Sequence, residues 1–271
     1  MQMTRIILAM IFILAAFSGT SFTATKEGLS NSKNSLERAK ELWEAAITAK
    51  GGRDRLYAVN SLAISEDINK NNRLSSSLYV FPDKYWDWSD KRPYKFGLQV
   101  LVENHELGVG YFVVGHEPDN PSKIKLSPEH RSKFDDVQLT LLLESKWFKP
   151  ELLGASKNRI GPKQVDVVEL KAGGFKIGVF LDEKTHLPTQ LIYYSNYKAG
   201  KILNRYELSD YREIAGILIP HSFNVGGSGW GEVKVEINVK YNPRVFERPP
   251  DISAGPEQWR VAESTPPKKA Q

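Results

Sequence analysis

Histidines are the first candidates for chemistry in this chain of 271 residues, and they occur singly rather than at metal-ligand spacing. No H-E-x-x-H motif is present, which excludes the commonest helical zinc site. His116, followed by Glu117 and Asp119, comes closest to a metal cluster, but its Pro-Asp-Asn-Pro surroundings indicate a solvated turn. The sequence therefore predicts no metal and no cofactor. The histidines are His105, His116, His130, His186 and His221.

Nucleophiles and paired carboxylates give no clearer signal of catalysis. Ser228 lies in the stretch GGSGWG, but a nucleophile elbow needs glycine two residues after the serine, and Trp230 occupies that position. The adjacent acidic pairs Asp135-Asp136 and Asp182-Glu183 have the settings of helix surface and turn, which does not support acid/base catalysis. We therefore expect a protein that is not an enzyme, with a hydrolase of an envelope component as a remaining alternative.

Aromatic and apolar side chains are the remaining candidates, because a pocket for an apolar ligand needs few polar groups. Core packing explains most of them individually. Trp86 and Trp88 differ, since they share one face of an extended segment among charged neighbours, where they could form an exposed lid. The predicted ligand-binding residues are Trp43, Trp86, Trp88, Phe96, Tyr111, Val113, Leu141, Trp147, Tyr193 and Tyr206.

The N-terminal residues resemble a secretory signal peptide. Arg5 precedes the apolar run 6–17, which is short for a membrane span, and small residues follow. We expect cleavage after residues 1–21, with an uncleaved anchor as the alternative interpretation. We therefore expect an exported, soluble protein of the periplasm or the cell exterior, with no membrane span after cleavage. The cleavage sites considered are Ser18, Ser21 and Ala24.

Charge and cysteine content narrow the partners further. The formal net charge of +5 is spread along the chain rather than gathered in a basic stripe with interleaved aromatics, so the sequence predicts no nucleic-acid partner. The absence of cysteine excludes disulfides and a lipid-modified N-terminal cysteine. A chain of this length can bury a sufficient core without disulfides.

Hydrophobic periodicity predicts a mainly β protein with a few helices. Helical spacing favours a helix over residues 35–50, with Asn34 and Glu37 as a capping box and Gly51-Gly52 as its stop. Residues 127–154 predict a helical insert, starting at Ser127-Pro128 and ending in a short turn near residues 150–154. Alternating runs separated by polar turns predict about ten or eleven antiparallel strands. The predicted strands are 62–68, 74–81, 95–103, 107–115, 165–170, 176–181, 189–194, 202–211, 217–225 and 232–241.

The predicted organisation is a signal peptide at residues 1–21, a flexible lead-in at residues 22–34, one domain at residues 35–247 and a largely disordered tail at residues 248–271. The Pro-rich and charged composition of the last segment carries the prediction of disorder.

Two consecutive segments resemble the outer-membrane lipoprotein-sorting (LolA/LolB-like) superfamily in their residue pattern. They are DEKTHLPTQLIYYS and, after it, YELSDYREIAGILIPHSF. Ala215-Gly216 predicts the turn of a hairpin, and Pro220 indicates a strand edge or end. The resemblance implies a strongly curved antiparallel sheet, an incomplete β-barrel, capped by or wrapped around the helices. It also implies an apolar interior that holds a lipid or acyl chain.

Two hypotheses about function follow from this resemblance. In the first, the protein is a carrier or sensor that binds a lipid or acylated peptide in the half-barrel and serves lipid or lipoprotein handling in the envelope. In the second, it is a regulatory or assembly module whose concave face meets an envelope protein or a lipoprotein. A continuous apolar cavity of several hundred Å³ favours the first, and a filled core favours the second.

Overall fold

In a computed structural model, residues 32–68, 73–90, 97–195, 201–225 and 228–261 are described. The predicted signal peptide lies outside them. The helices and strands, numbered along the chain, have the following bounds. They are α1 (Ser32–Ala49), α2 (Arg53–Tyr57), β1 (Ser61–Ile68), β2 (Arg73–Val80), β3 (Lys84–Asp90), β4 (Leu98–Asn104), β5 (Val109–Val114), β6 (Glu117–Lys125), α3 (Ser132–Leu142), β7 (Glu151–Ile160), β8 (Lys163–Ala172), β9 (Phe175–Asp182), β10 (Pro188–Tyr194), β11 (Ile202–Ile214), β12 (Ile217–Val225) and β13 (Ser228–Ile237).

In the described residues, thirteen strands pair in the order β6-β5-β4-β3-β2-β1-β13-β12-β11-β10-β9-β8-β7, and every pairing is antiparallel. Two meanders, β1 to β6 and β7 to β13, meet at β13. The first part of β13 pairs with β12, and its last part, from Val233 to Ile237, pairs with β1. Since β6 and β7 do not pair in the described part of the chain, the sheet is not closed into a barrel. The prediction of a mainly β protein with an incomplete barrel is confirmed.

The curvature of the sheet follows from its contacts with α3. Phe134 packs edge-on against Tyr85 of β3, with ring centroids 6.4 Å apart, and Asp136 bonds to Tyr193 of β10. These strands are six steps apart in the sheet, which in a flat sheet is about 29 Å. Two residues two positions apart on a helix are separated along its axis by only about 3 Å. The sheet must therefore curl around α3.

Helix α1 covers the edge strand β7. The hydroxyl of Ser35 accepts a hydrogen bond from the amide of Ala155 and donates one to its carbonyl, both at 3.0 Å. Gly154 permits this approach, since a Cβ there would lie 2.7 Å from Ser35 Oγ. An exposed edge of unpaired backbone groups is thereby covered.

The predicted ends of α1 are right at one terminus and wrong at the other. Gly51 and Gly52, both at positive φ, follow the helix as expected. At the start, α1 begins at Ser32, so the capping box at Asn34 is wrong and residues 32–34 are helical rather than a flexible lead-in. The rest of the predicted lead-in lies outside the described residues.

Two large hydrophobic cores lie on the sheet. The first contains the buried faces of α1 and α3 together with inward residues of strands from β1 to β13. The second is built on β1 to β5 and is covered by the C-terminal segment through Val245, Phe246, Ile252 and Trp259. Both faces of β2 to β4 are therefore covered, whereas β5 contributes Val113 to the second core and its Phe112 and Val114 are partly exposed.

The prediction of a disordered tail is wrong for residues 248–261. Ile252 is buried and Trp259 is fully buried, and Arg260 bonds to Glu236 at 2.6 Å. Two apolar anchors within a Pro-rich and charged segment are enough to hold it on the sheet, and average composition conceals them. Residues 262–271 lie outside the described part.

Three strands were missed, which raises the count from about ten or eleven to thirteen. Lys84–Asp90 was interpreted as an aromatic lid, Glu117–Lys125 as a polar loop and residues 150–154 as a helical turn. The last begins β7, Glu151–Ile160. Pairing with a neighbouring strand imposes the extended conformation on all three segments, and local propensity does not report it.

The predicted hairpin is the joint between β11 and β12. Ala215 and Gly216 have positive φ and form its turn. Pro220 lies inside β12 opposite Tyr211 of β11, while the β13 partners of β12 begin only at Ser222. At Pro220, which has no amide hydrogen to donate, β12 therefore has a paired neighbour on one side only. This agrees with the edge or strand-end position that the sequence indicated.

Candidate functional site: an apolar pocket beside helix α3

A pocket of about 280 Å³ opens between α3, the β8–β9 turn and strands β10 and β11. Its walls are mainly apolar. Gly173 and Gly174 form the turn at one side and both have positive φ, as expected for a two-residue hairpin. The lining residues are Ser132, Lys133, Asp135, Asp136, Leu139, Ala172, Gly173, Phe175, Ile177, Tyr193, Leu203, Asn204 and Tyr206.

Asp136 is the carboxylate set into this apolar wall. Its Oδ1 accepts a hydrogen bond from the hydroxyl of Tyr193, and within the described ranges this is the side-chain hydrogen bond that the structure gives it. Burial raises the pKa of Asp136 above its usual value; the bond from Tyr193 offsets part of the rise, and the charge of Asp135 adds to it. The site thus holds an acid that lacks a cationic partner in the described part of the protein.

Three aromatic rings line the pocket together with this carboxylate. The ring centroids of Phe175 and Tyr193 are 6.3 Å apart with planes at 66°, and those of Tyr193 and Tyr206 are 5.4 Å apart at 58°. Rings tilted in this way form adjacent walls of a corner instead of a stack. The pocket therefore combines three aromatic walls with one acidic group.

Lys133 also lines the pocket, but its charge is used elsewhere. Its Nζ bonds to the buried carboxylate of Glu103 at 2.6 Å and lies 4.4 Å from the ring centroid of Tyr85. His105 Nε2 lies 3.0 Å from the same carboxylate, and burial lowers the pKa of His105 while Glu103 opposes that effect. This cluster fastens the start of α3 to β4, and Lys133 does not neutralise Asp136.

The mouth of the pocket carries exposed apolar side chains. Leu203, which lines the pocket, is 46% exposed, and the neighbouring Ile202 is 43% exposed. Isolated exposed apolar residues are common on proteins. Here the two adjoin an apolar opening, so they extend its surface outward.

The structure brings together two of the ten predicted ligand-binding residues at this pocket, Tyr193 and Tyr206. Three others, Trp43, Leu141 and Trp147, belong to the first core or pack against it. Four are in the second core or packed on it, away from the pocket, and Phe96 lies outside the described residues. The four are Trp86, Trp88, Tyr111 and Val113.

The interpretation of Trp86 and Trp88 as an exposed lid is wrong. Trp86 is fully buried and Trp88 nearly so, because the segment is strand β3 and the C-terminal residues cover its outer face. Their role in the described structure is core packing, which is the common role of tryptophan in a sheet.

Asp136 and Phe175 are site residues that sequence reasoning missed. Asp135-Asp136 was predicted to be helix surface, but α3 lies inside the curved sheet, so the face that carries Asp136 meets β10. The available signal was the apolar run that follows this acidic pair. A helix with Val137, Leu139 and Leu141 buried has little exposed surface.

A second buried carboxylate, Glu144, follows the C-terminal end of α3. It accepts hydrogen bonds from Arg53 Nε at 2.7 Å, Trp43 Nε1 at 3.0 Å and the Tyr57 hydroxyl at 2.8 Å. Burial alone raises the pKa of Glu144, but these three donors outweigh it, and the pKa lies below its usual value. Glu144 joins α1, α2 and α3 and is fully partnered.

Within the described ranges, no group of three or more histidine, aspartate or glutamate side chains is arranged to hold a metal ion. None of the helices in the same ranges is long and apolar enough to cross a membrane.

Three solved structures are similar to this one in fold. An outer membrane lipoprotein-sorting protein domain from Vibrio parahaemolyticus is 14% identical with a TM-score of 0.42, over 80% of this chain and 97% of that one. A LolA superfamily protein from Nitrosomonas europaea is 14% identical with a TM-score of 0.45, over 77% and 96%. A DUF1329 family protein from Desulfovibrio piger is 11% identical with a TM-score of 0.46, over 77% and 96%. The similarity assigns no ligand.

No protein-family model matches the sequence, and no curated protein matches it either.

Proposed function

We propose that this protein is a non-catalytic binding protein that holds the apolar part of a small amphiphile in the pocket beside α3. The observation that supports this most directly is the pocket itself, which is open and mainly apolar at about 280 Å³. Ligand sites have this character, with a few placed polar groups. Burial of each methylene group contributes about 0.8 kcal/mol to such binding.

The size of the pocket limits the ligand. If a methylene group needs about the space of a water molecule in the liquid, roughly 30 Å³, the pocket has room for about nine such groups. Buried side chains of the first core pack around α1 and α3 next to this pocket. The proposed ligand is therefore a single short chain, or the end of a longer one that leaves past Leu203, rather than several acyl chains.

The proposed place of action is outside the cytoplasm, with the protein in solution. The apolar segment at residues 6–17 after Arg5 supports export. Together with the sequence resemblance, this favours a carrier or sensor of an envelope lipid or an acylated polypeptide.

The test is a titration of the purified protein with straight-chain alcohols from about four to about twelve carbons, followed by calorimetry. The affinity is expected to rise about fourfold for each methylene group and to level off near about nine carbons. The matched variants are Ala172→Trp, which fills the pocket, and Lys171→Trp, which places the same ring on the opposite face of β8.

Ala172→Trp is expected to weaken the binding of the best alcohol at least about tenfold, while Lys171→Trp leaves it unchanged. If no alcohol binds, or if Ala172→Trp binds as well as the unaltered protein, the proposal is wrong.

A second candidate, a module that meets another protein, is favoured by the filled state of most of the interior. Ile202 and Leu203 at the pocket mouth are the apolar residues such a partner would cover. Ile202→Ser, at the one of the two residues that does not line the pocket, would abolish co-purification of an envelope partner and spare alcohol binding. Replacement of Trp86 and Trp88 would not be informative, because both are buried.

A further inference from the structure

The charged residues that line the pocket specify the ligand more narrowly than its apolar walls do. Two carboxylates, Asp135 and Asp136, line it, and the cation that lines it, Lys133, is held by Glu103 at 2.6 Å. The lining residues that strands β8, β9, β10 and β11 contribute are uncharged side chains, among them two tyrosines and Asn204. A pocket with two acids and one cation that is already paired favours a positively charged ligand.

The aromatic walls favour the same kind of ligand. Phe175, Tyr193 and Tyr206 present three tilted rings in the pocket that Asp136 also lines. Aromatic faces attract cations within about 6 Å of the ring centroid, and groups of such rings recognise methylated ammonium groups. A fatty acid, in contrast, would bring a second negative charge to Asp136.

We propose that the pocket binds an alkylammonium group, held against the carboxylate of Asp136 by the rings of Phe175, Tyr193 and Tyr206. This inference rests on the proposed function, since the alkyl chain occupies the apolar remainder of the pocket. It names the polar end of the amphiphile, which the apolar lining alone does not specify. The hydroxyl of Tyr193, which donates to Oδ1 of Asp136, holds the carboxylate in position.

Three ligands with the same six-carbon chain test the charge preference. They are hexyltrimethylammonium, 1-hexanol and hexanoate, each titrated into the protein at pH 7.5 and followed by calorimetry. Hexyltrimethylammonium is expected to bind at least about tenfold more tightly than 1-hexanol. Hexanoate is expected to bind no more tightly than 1-hexanol.

The outcomes separate this inference from the proposed function. If 1-hexanol and the cation bind equally, the inference is wrong and the proposed function stands. If hexanoate binds best, the inference is also wrong. If none of the three binds, both fail. Two further ligands separate the parts of the cation. Choline, which lacks the hexyl chain, shows whether that chain is needed, and hexylammonium shows whether the methyl groups are needed.

Variants assign the effect to the carboxylate. Asp136→Asn is expected to reduce the preference for the cation over 1-hexanol to less than about twofold. Asp135→Asn, on the same helix, is expected to reduce it less than about threefold. An equal loss in both variants would mean that the general charge of the pocket, and not Asp136, selects the ligand.

The pH dependence of the unaltered protein provides a test without substitution. Asp136 must be ionised to attract the cation, and its pKa is raised. The affinity for hexyltrimethylammonium is therefore expected to fall as the pH decreases through that raised pKa, while the affinity for 1-hexanol stays constant. The titratable groups near Asp136 are Asp135 and Lys133 of α3, Tyr79 of β2, Tyr193 of β10 and Tyr206 of β11. A pH-independent affinity for the cation contradicts the inference.

Discussion

Two carboxylates, the buried Glu144 just after α3 and the half-buried Asp136 within it, have opposite surroundings. Glu144 receives hydrogen bonds from Arg53, Trp43 and Tyr57, and its pKa is lowered. Asp136 receives one from Tyr193, and its pKa is raised by burial. A buried charge stabilises a fold only when its partners replace the lost water. The first carboxylate therefore contributes to the fold, whereas the second leaves unused capacity for a ligand.

Among the substitutions that test this comparison, Glu144→Ala is expected to change the free energy of unfolding most. It leaves the buried Trp43 indole and the Tyr57 hydroxyl without their acceptor, so the free energy of unfolding should fall by about 3 kcal/mol. Urea denaturation measures the change. Glu151→Ala, at an exposed residue, is the control and should stay within about 0.5 kcal/mol. Equal losses in both variants would contradict a stabilising role for the Glu144 cluster.

Lys50 extends the comparison to a buried cation. It is fully buried, and in the described part of the chain its Nζ has no hydrogen-bond partner, with the Tyr211 ring centroid 5.1 Å away. Burial lowers the pKa of Lys50 from 10.5 to about 7. Lys50→Met should therefore raise the free energy of unfolding by about 2 kcal/mol at neutral pH.

The pH dependence of this gain has a defined sign. The folded-state pKa of Lys50 is below the unfolded value, so the unaltered protein gains stability as the pH rises from about 7 towards 10.5. The advantage of Lys50→Met should be full below about pH 7 and should shrink above it. Denaturation curves across this range measure it, and a gain that is constant with pH would mean that Lys50 is not neutral when folded.

Asp136→Asn should have the smallest effect on stability, despite its large expected effect on cation binding. The pKa of Asp136 is raised in the folded state, so the stability from its protonated form is present below the usual 3.8 and is lost as the pH rises through the raised value. At pH 7.5 the variant should match or exceed the unaltered protein by about 0.5 kcal/mol. The contribution of Glu144 to stability has the opposite pH dependence, since it is lost as the pH falls through the lowered pKa of Glu144.

A loss of about 3 kcal/mol in Asp136→Asn, equal to that of Glu144→Ala, would remove the distinction between the two carboxylates. Asp136 would then be a structural residue, and the pocket would have no assigned polar anchor.

Local patterns predicted the parts of the fold that local interactions specify. The stop of α1 at Gly51-Gly52 and the turn at Ala215-Gly216 were correct because both need positive φ. The predicted strand at residues 232–241 was correct over residues 232–237, where one face of β13 is buried. Strand β7 was missed because its extended form depends on pairing with β8 and on cover by Ser35 of α1, which is distant in sequence.

The candidate site was predicted only in part for a related reason. Tyr193 and Tyr206 were identified as aromatic candidates on strands, and both line the pocket. Trp86 and Trp88 have the same local character, yet a distant C-terminal segment buries them. Local sequence does not specify which face of a strand is covered and by what.

The sequence by itself determined a mainly β chain with two principal helices and hairpin turns, because periodicity and glycine positions encode secondary structure. Only the tertiary structure decided that the sheet curls around α3, so that Asp136 becomes a pocket residue while Glu144 becomes part of a structural cluster. The two acids look alike in sequence. Their pKa values diverge because partners for each come from other elements, and the fold alone brings those partners together.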